Sequence, residues 1–201
     1  MSKWDTSIDL IEKINKFWED GIGHLSEEQR DFIIHRLEEL KPKFCLEIGF
    51  AGGRHTSTVL NCCGIVKMVS IDISFDHSNS REKIELIRSH FSDIEFIEGD
   101  SKIVLTDEFF NSHFPKGIDY VLVDGGHSFE ETMLDMQNCY PYLNNPGLMI
   151  VDDYKSKVCP LSSVDQAVNS FSASQKIDFE EVSLDDGKGM AIFYNEGKRN
   201  A

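Results

Sequence analysis

The stretch Phe44-Cys45-Leu46-Glu47-Ile48-Gly49-Phe50-Ala51-Gly52-Gly53 decides how the rest of the chain is read. A short, mostly apolar run ends in a cluster of glycines, the look of a buried parallel strand that delivers the chain to a tight turn. Glycines at such a point let the backbone come close to a ligand and feed a helix N-terminus. The spacing G-x-x-G-G is neither the G-x-G-x-x-G of dinucleotide sites nor the phosphate-binding P-loop, and no Lys follows Gly53. A smaller zwitterion is therefore expected before a pyrophosphate. The helix N-terminus would hold its carboxylate, and Glu47 would attract its ammonium group.

Outward from this stretch, short apolar strands alternate with helices. Strands are expected over 44–48, 68–71, 94–97, 118–123 and 148–151, and helices over 54–62, 80–91, 101–111 and 128–143. In the last of these Phe129, Met133, Met136, Tyr140 and Leu143 recur at helical spacing, a stripe read as core. This alternation implies a parallel sheet covered by helices on both faces. Residues 163–171 read as a further helix. Segments 177–184 and 190–194 then flank Asp185-Asp186-Gly187-Lys188-Gly189, a turn joining an antiparallel pair. Residues 195–201 read as a frayed tail.

Ligands of open α/β sheets bind at the carboxyl ends of the strands. The second strand ends at Asp72, where a carboxylate can accept both hydroxyls of a ribose. The third ends at Gly99-Asp100-Ser101, which offers an acceptor and a donor to an adenine edge. Each residue alone is a turn former or a cap; at successive strand ends they favour a nucleoside. The fourth and fifth strands end in Asp124-Gly125-Gly126-His127 and Asp152-Asp153-Tyr154. Neighbouring strand ends lie about 5 Å apart, so three carboxylates would converge and raise one another's pKa. A divalent cation relieves that repulsion, and oxygen-only ligands favour Mg²⁺, Mn²⁺ or Ca²⁺. The alternative is that these aspartates cap helices and turns. His127, whose free imidazole titrates near ~6.5, suits a general base; it also suits a cap.

These residues resemble the class I S-adenosylmethionine-dependent methyltransferases over about residues 44–194. Residues 47–53, with Gly49 and Gly53, look like the glycine-rich motif on the methionine part of the cofactor, Asp72 like the ribose acid, and Asp100-Ser101 like the adenine pair. Within that class, Asp124, Asp152 and Asp153 resemble the metal ligands of the O-methyltransferases of the catechol and caffeoyl-CoA type and of natural-product sugars. Asp124 then belongs to the cofactor and the metal sets alike. The resemblance implies a three-layer α/β sandwich, a mostly parallel seven-stranded sheet with an antiparallel C-terminal strand. One departure matters: the catechol type places a Lys base where His127 stands, and some sugar enzymes use an Asp where Gly126 stands.

The first 42 residues read as an N-terminal helical cap before a cofactor domain at 43–195 and a tail at 196–201. Ile8, Ile11, Ile14 and Trp18 mark one amphipathic helix over 6–19. Ser26 with Gln29 reads as a capping box opening a second, which carries Phe32, Ile33, Leu37 and Leu40 and stops before Pro42. These helices suit core packing or a cover over the site, and a Trp4/Phe17/Trp18 face suits a homodimer contact. With 201 residues the chain can bury a core without staples, and its net charge of −15 repels phosphate backbones and anionic membranes. No apolar run approaches the ~20 residues of a membrane helix, and no basic-then-apolar leader opens the sequence. The five cysteines are odd in number with no C-x-x-C, which reads as neither a disulfide framework nor a zinc site and suits a reducing cytoplasm. The functional expectation is a methyltransferase acting on a hydroxyl of a small molecule. A non-enzymatic nucleoside-binding module and an NAD-type oxidoreductase are the rivals.

Overall fold

The computed structural model describes residues 25–62, 64–76 and 80–195. The helix expected over 6–19, the Trp4/Phe17/Trp18 face and the tail at 196–201 lie outside these residues.

The capping box is present as read. The Ser26 hydroxyl accepts from the Gln29 amide, Gln29 Oε1 accepts from the Ser26 amide, both at 3.1 Å, and helix α1 (Glu27–Leu40) follows. Then come β1 (Phe44–Ile48), α2 (Arg54–Cys62), β2 (Lys67–Asp72), α3 (Ser80–His90) and β3 (Ile94–Glu98). The helix expected over 101–111 is two pieces, α4 (Ser101–Val104) and α5 (Asp107–His113). The break lies at Leu105–Thr106 because Thr106 starts a new helix, its hydroxyl accepting from the Phe109 amide at 3.2 Å. The chain continues through β4 (Ile118–Val123), α6 (Phe129–Cys139), a 3₁₀ turn (Tyr140–Tyr142), β5 (Leu143–Val151), α7 (Val164–Gln175), β6 (Glu180–Ser183) and β7 (Gly189–Asn195). Asn195, expected in the tail, is the last residue of β7, and its amide donates to the Leu143 carbonyl at 2.8 Å. Of the helical stripe, Met136 and Leu143 are buried, whereas Phe129 stands 41% exposed at the first position of α6.

The seven strands form one sheet in the order β3-β2-β1-β4-β5-β7-β6. β1 pairs in parallel with β2 and β4, β2 with β3, and β4 with β5, while β7 runs antiparallel to both β5 and β6. This is the mixed seven-stranded α/β sandwich the sequence leads one to expect. Alternate residues of each strand enter different cores. Leu46, Ile48, Val121 and Val123 pack with Phe110, Met136 and Phe171 on one face. Cys45, Tyr120 and Leu122 pack with Val59, Ile33 and Leu37 on the other. The described part of the N-terminal segment is therefore not set apart, since α1 contributes fully buried residues to the core beneath the sheet.

Candidate functional site

Strand order reverses between β1 and β4, and the backbone ladder runs one residue past the ends of the central strands. Gly99 N–H donates to Asp72 O, Gly49 N–H to Ile71 O, Asp124 N–H to Ile48 O and Asp152 N–H to Val123 O, at 2.8 to 3.0 Å. These bonds fix the strand-end residues side by side along a cleft of about 600 Å³, within the range of small-molecule sites. Gly49, Asp72, Asp100, Ser101, Asp124, His127, Asp152 and Asp153 all line it.

Two predicted residues do not. Glu47 is fully buried. It alternates with Leu46 and Ile48, so its side chain faces α2. There His55 Nδ1 lies 2.7 Å from Oε1, and the hydroxyls of Thr56 and Ser70 donate to Oε2. His55 Nε2 in turn lies 2.7 Å from the Tyr120 hydroxyl. As placed, the Glu47 carboxylate joins the glycine strand to α2 and does not line the cleft, where an ammonium group is expected to meet it. Gly53 is also buried. Its φ of +77° and the Phe50 ring, 2.6 Å from where a Cβ would stand, make it a packing glycine.

Asp72 does two jobs. Its Oδ2 accepts from the amides of Phe50 at 2.9 Å and Ala51 at 3.0 Å, and Oδ1 accepts from Ser74 N–H at 3.1 Å. It shapes the glycine loop while its carboxylate borders the cleft. Asp100 caps α4 through the Lys102 amide at 3.0 Å. The Lys102 ammonium lies 3.5 Å from Asp100 and 3.6 Å from Glu131, linking α4 to α6 at the rim.

At the β4–β5 end of the cleft stand four ionisable groups. His127 Nε2 is 3.6 Å from Asp124 Oδ1 and 3.4 Å from Asp153 Oδ2. The close approach of the Asp124 carboxylate chiefly raises the His127 pKa, against the opposing effect of burial. Burial raises Asp124, with the His127 contact opposing it. Burial, followed by the charges of Asp124 and Asp153, raises Asp152 well above the usual carboxylate range. That mutual repulsion is the condition a cation would relieve, and hard carboxylate oxygens suit Mg²⁺ or Mn²⁺. Among the described residues, however, the three aspartates are not a group whose ligand atoms close to within 4.8 Å of one another; His127, Asp153 and Cys159 are.

Sequence reasoning missed Gln29. Its side chain is fully buried, and Nε2 donates to Asp152 Oδ1 at 2.7 Å across 123 residues of sequence. The capping box was visible, but its second role was not, because nothing local marks the reach of that amide. Gln29→Leu is expected to lower turnover by roughly 10–100-fold, the size of effect seen when a partner that orients a carboxylate of the site is removed. Ser26→Ala, which removes only the cap at about 1 kcal/mol, should leave turnover within twofold. Equal losses in the two variants would reduce Gln29 to a capping residue.

Asp135 was also missed. It lies beneath the cleft floor, with Oδ2 3.4 Å from where a Cβ on Gly125 would stand, and neither oxygen has a hydrogen-bond partner among the described residues. Burial lifts its pKa to about 6, against the opposing influence of the nearby Ser101 side chain, which lies outside regular hydrogen-bond geometry. Below about pH 4 the group is protonated in folded and unfolded chains alike. Between about 4 and 6 the unfolded chain gives up its proton first, so stability falls, and above 6 the deficit is constant at roughly 3 kcal/mol. Asp135→Asn should therefore raise Tm by several degrees at pH 7.5 and hardly at all at pH 3.5. An equal gain at both values would show that charge burial is not the cause.

The family model described as a methyltransferase domain matches residues 46–154. A curated relative, an uncharacterized protein of Acanthamoeba polyphaga mimivirus, is 26% identical over 130 residues, 60% of this chain. That match spans 58% of the relative's own length. Solved structures share the fold at low identity. The O-methyltransferase TomG of Streptomyces achromogenes, involved in tomaymycin synthesis and solved with S-adenosylmethionine, has a TM-score of 0.73 at 14% identity, covering 94% of this chain and 90% of its own. An O-methyltransferase of Bacillus cereus with S-adenosylhomocysteine gives 0.69 at 14%, covering 97% and 91%. The Podospora anserina methyltransferase PaMTH1, also with S-adenosylhomocysteine, gives 0.68 at 17%, covering 95% and 88%.

Proposed function

The chain belongs to the family described as a methyltransferase domain, and we propose that it is an S-adenosylmethionine-dependent methyltransferase that methylates a hydroxyl oxygen of a small molecule with His127 as base. The observation that carries this reading is the His127 imidazole, set against Asp124 and Asp153 at the β4–β5 end of the cleft. Two of the structural neighbours are O-methyltransferases by name, which supports an oxygen acceptor.

The roles follow from position. Gly49 brings the backbone to the cleft wall, where the methionine part of the cofactor would lie. Asp72 would meet the ribose hydroxyls through Oδ1, which accepts only from Ser74 N–H and keeps a second lone pair, whereas Oδ2 already accepts from both Phe50 and Ala51. Asp100 and Ser101 face the adenine end. His127 takes the acceptor's proton, and Asp124 and Asp153 stabilise the imidazolium that results. S-adenosylmethionine supplies an electrophilic methyl on sulfonium, and a divalent cation held by Asp124, Asp152 and Asp153 would supply positive charge that favours the deprotonated acceptor. Holding acceptor and donor in line is the chain's largest contribution to rate. Nucleic acid and membrane stay outside the reading, on a net charge of −15. No described helix is long and apolar enough to cross a membrane. The reading places the protein in the cytoplasm, where its free cysteines remain reduced.

The test is titration calorimetry with S-adenosylmethionine and NAD, followed by methyl transfer to phenol, catechol and sugar hydroxyls before and after exhaustive chelation. Binding of S-adenosylmethionine with chelator-sensitive transfer to oxygen is expected. Transfer that survives the chelator untouched would remove the cation and leave the aspartates as caps and cleft walls.

A further inference from the structure

Cys159 has no part in the proposed reaction, yet it lies against the proposed base. Its Sγ is 3.4 Å from His127 Nδ1. The ligand atoms of His127, Asp153 and Cys159 all lie within 4.8 Å of one another. We propose that these three side chains bind a thiophilic divalent cation of the zinc class, and that the bound ion switches methyl transfer off. The second half rests on His127 being the base; the first does not.

The geometry favours such an ion. With Zn–S near 2.3 Å and Zn–N near 2.0–2.1 Å, a tetrahedral centre sets sulfur and nitrogen about 3.6 Å apart, close to the separation found. A metal on Nδ1 leaves Nε2 protonated; that nitrogen lies 3.6 Å from Asp124 Oδ1 and 3.4 Å from Asp153 Oδ2, so Asp124 keeps Nε2 while Asp153 turns an oxygen to the Nδ1 side to ligate. A carboxylate behind a ligating imidazole fixes its tautomer and orientation. The backbone holds the pair together as well. Ser163 N–H donates to the His127 carbonyl at 2.9 Å, and Ser162 N–H to the Cys159 carbonyl at 3.1 Å, so the segment carrying the thiol is tied to the residue carrying the imidazole.

Donor chemistry separates this site from the one proposed for a hard cation. Sulfur, nitrogen and one carboxylate select Zn²⁺ or Co²⁺ over Mg²⁺, which prefers oxygen. Three protein ligands leave a fourth position open, and all three residues line the cleft, so an ion can enter from it. Once Nδ1 and Asp153 are engaged, the imidazole has no lone pair for an acceptor's proton, and Asp153 is lost to the hard-cation set.

The experiment uses the full chain, reduced with a non-thiol phosphine. Co²⁺ titration should give a near-ultraviolet thiolate-to-cobalt band in the wild type and none in Cys159→Ser. Calorimetric Zn²⁺ affinity should fall by about 100-fold or more in Cys159→Ser and in Asp153→Asn, whereas Mg²⁺ affinity in Cys159→Ser should stay within twofold. Zn²⁺ should inhibit methyl transfer by the wild type, reversibly on chelation, and Cys159→Ser should need at least tenfold more for half inhibition. Absence of the band, or equal Zn²⁺ affinity in wild type and Cys159→Ser, overturns the site. A Cys159-dependent Zn²⁺ site that leaves turnover unchanged overturns the switch and, with it, the assignment of His127 as base.

Discussion

Asp152→Asn is expected to lower kcat by about 10³ while leaving S-adenosylmethionine affinity within about twofold. Several kcal/mol of charge stabilisation is the usual contribution of a catalytic cation, and each 1.36 kcal/mol is tenfold in rate. Asparagine is the informative substitution because it keeps the volume and can still accept the Gln29 amide that now lies 2.7 Å from Oδ1. Alanine would leave that buried donor unpaired, at about 1–3 kcal/mol, and would mix a folding defect into the rate. Cofactor affinity should survive because Asp72, Asp100 and Ser101 belong to the β2 and β3 ends of the cleft, on the far side of β1 from β5. Mn²⁺ binding followed by electron paramagnetic resonance gives a second readout, and it should weaken together with kcat. If kcat falls while Mn²⁺ affinity holds, Asp152 acts on the acceptor directly and not through a cation. Unchanged kcat would place Asp152 outside the reaction.

The parts of this site that the sequence discloses are those fixed by one strand and the turn after it. Strands 44–48 and 118–123 are found where the apolar runs place them, because burial on both faces leaves a continuous run and the glycines end it. Asp72, Asp124 and Asp152 reach the cleft for the same reason: each is the end of its strand or the residue next to it. Side-chain direction at one residue's resolution is harder to see. Glu47 is two positions before Gly49, yet strand alternation turns it toward His55 and away from the cleft. Contacts across the chain are harder still. Gln29 meets Asp152, and Cys159 meets His127, only after the sheet has assembled. The break of the helix expected over 101–111 shows a local conflict: apolar spacing runs on through Leu105, but the Thr106 hydroxyl competes for the backbone and starts a new helix.

Gly49→Ala carries the largest expected loss of stability. Gly49 has φ +94°, and a Cβ built there would stand 1.9 Å from the Asp124 carbonyl oxygen and 2.5 Å from its carbon. Both are backbone atoms of the neighbouring strand end, so no rotamer change can make room. The positive φ alone costs roughly 1–2 kcal/mol for a residue with a side chain. Relief of the clash requires β1 and β4 to part where Asp124 N–H now bonds Ile48 O at 2.8 Å. A total of about 4 kcal/mol or more is expected, of the size reserved for strain at special backbone positions and a large share of the 5–15 kcal/mol by which domains are usually stable. Tm should fall by roughly 8–16 °C on the usual scale for a chain of this length. Gly187→Ala separates the two causes: Gly187 has φ +85° in the β6–β7 turn, but its Cβ would meet only the Lys157 side chain, at an ordinary 3.4 Å. That variant should lose only the conformational share. If both lose the same, the close approach of β1 to Asp124 is not what demands glycine at position 49. If Gly49→Ala loses far more and its remaining folded fraction binds S-adenosylmethionine poorly, the glycine that marks the strand end in the sequence is also what lets the cleft floor close.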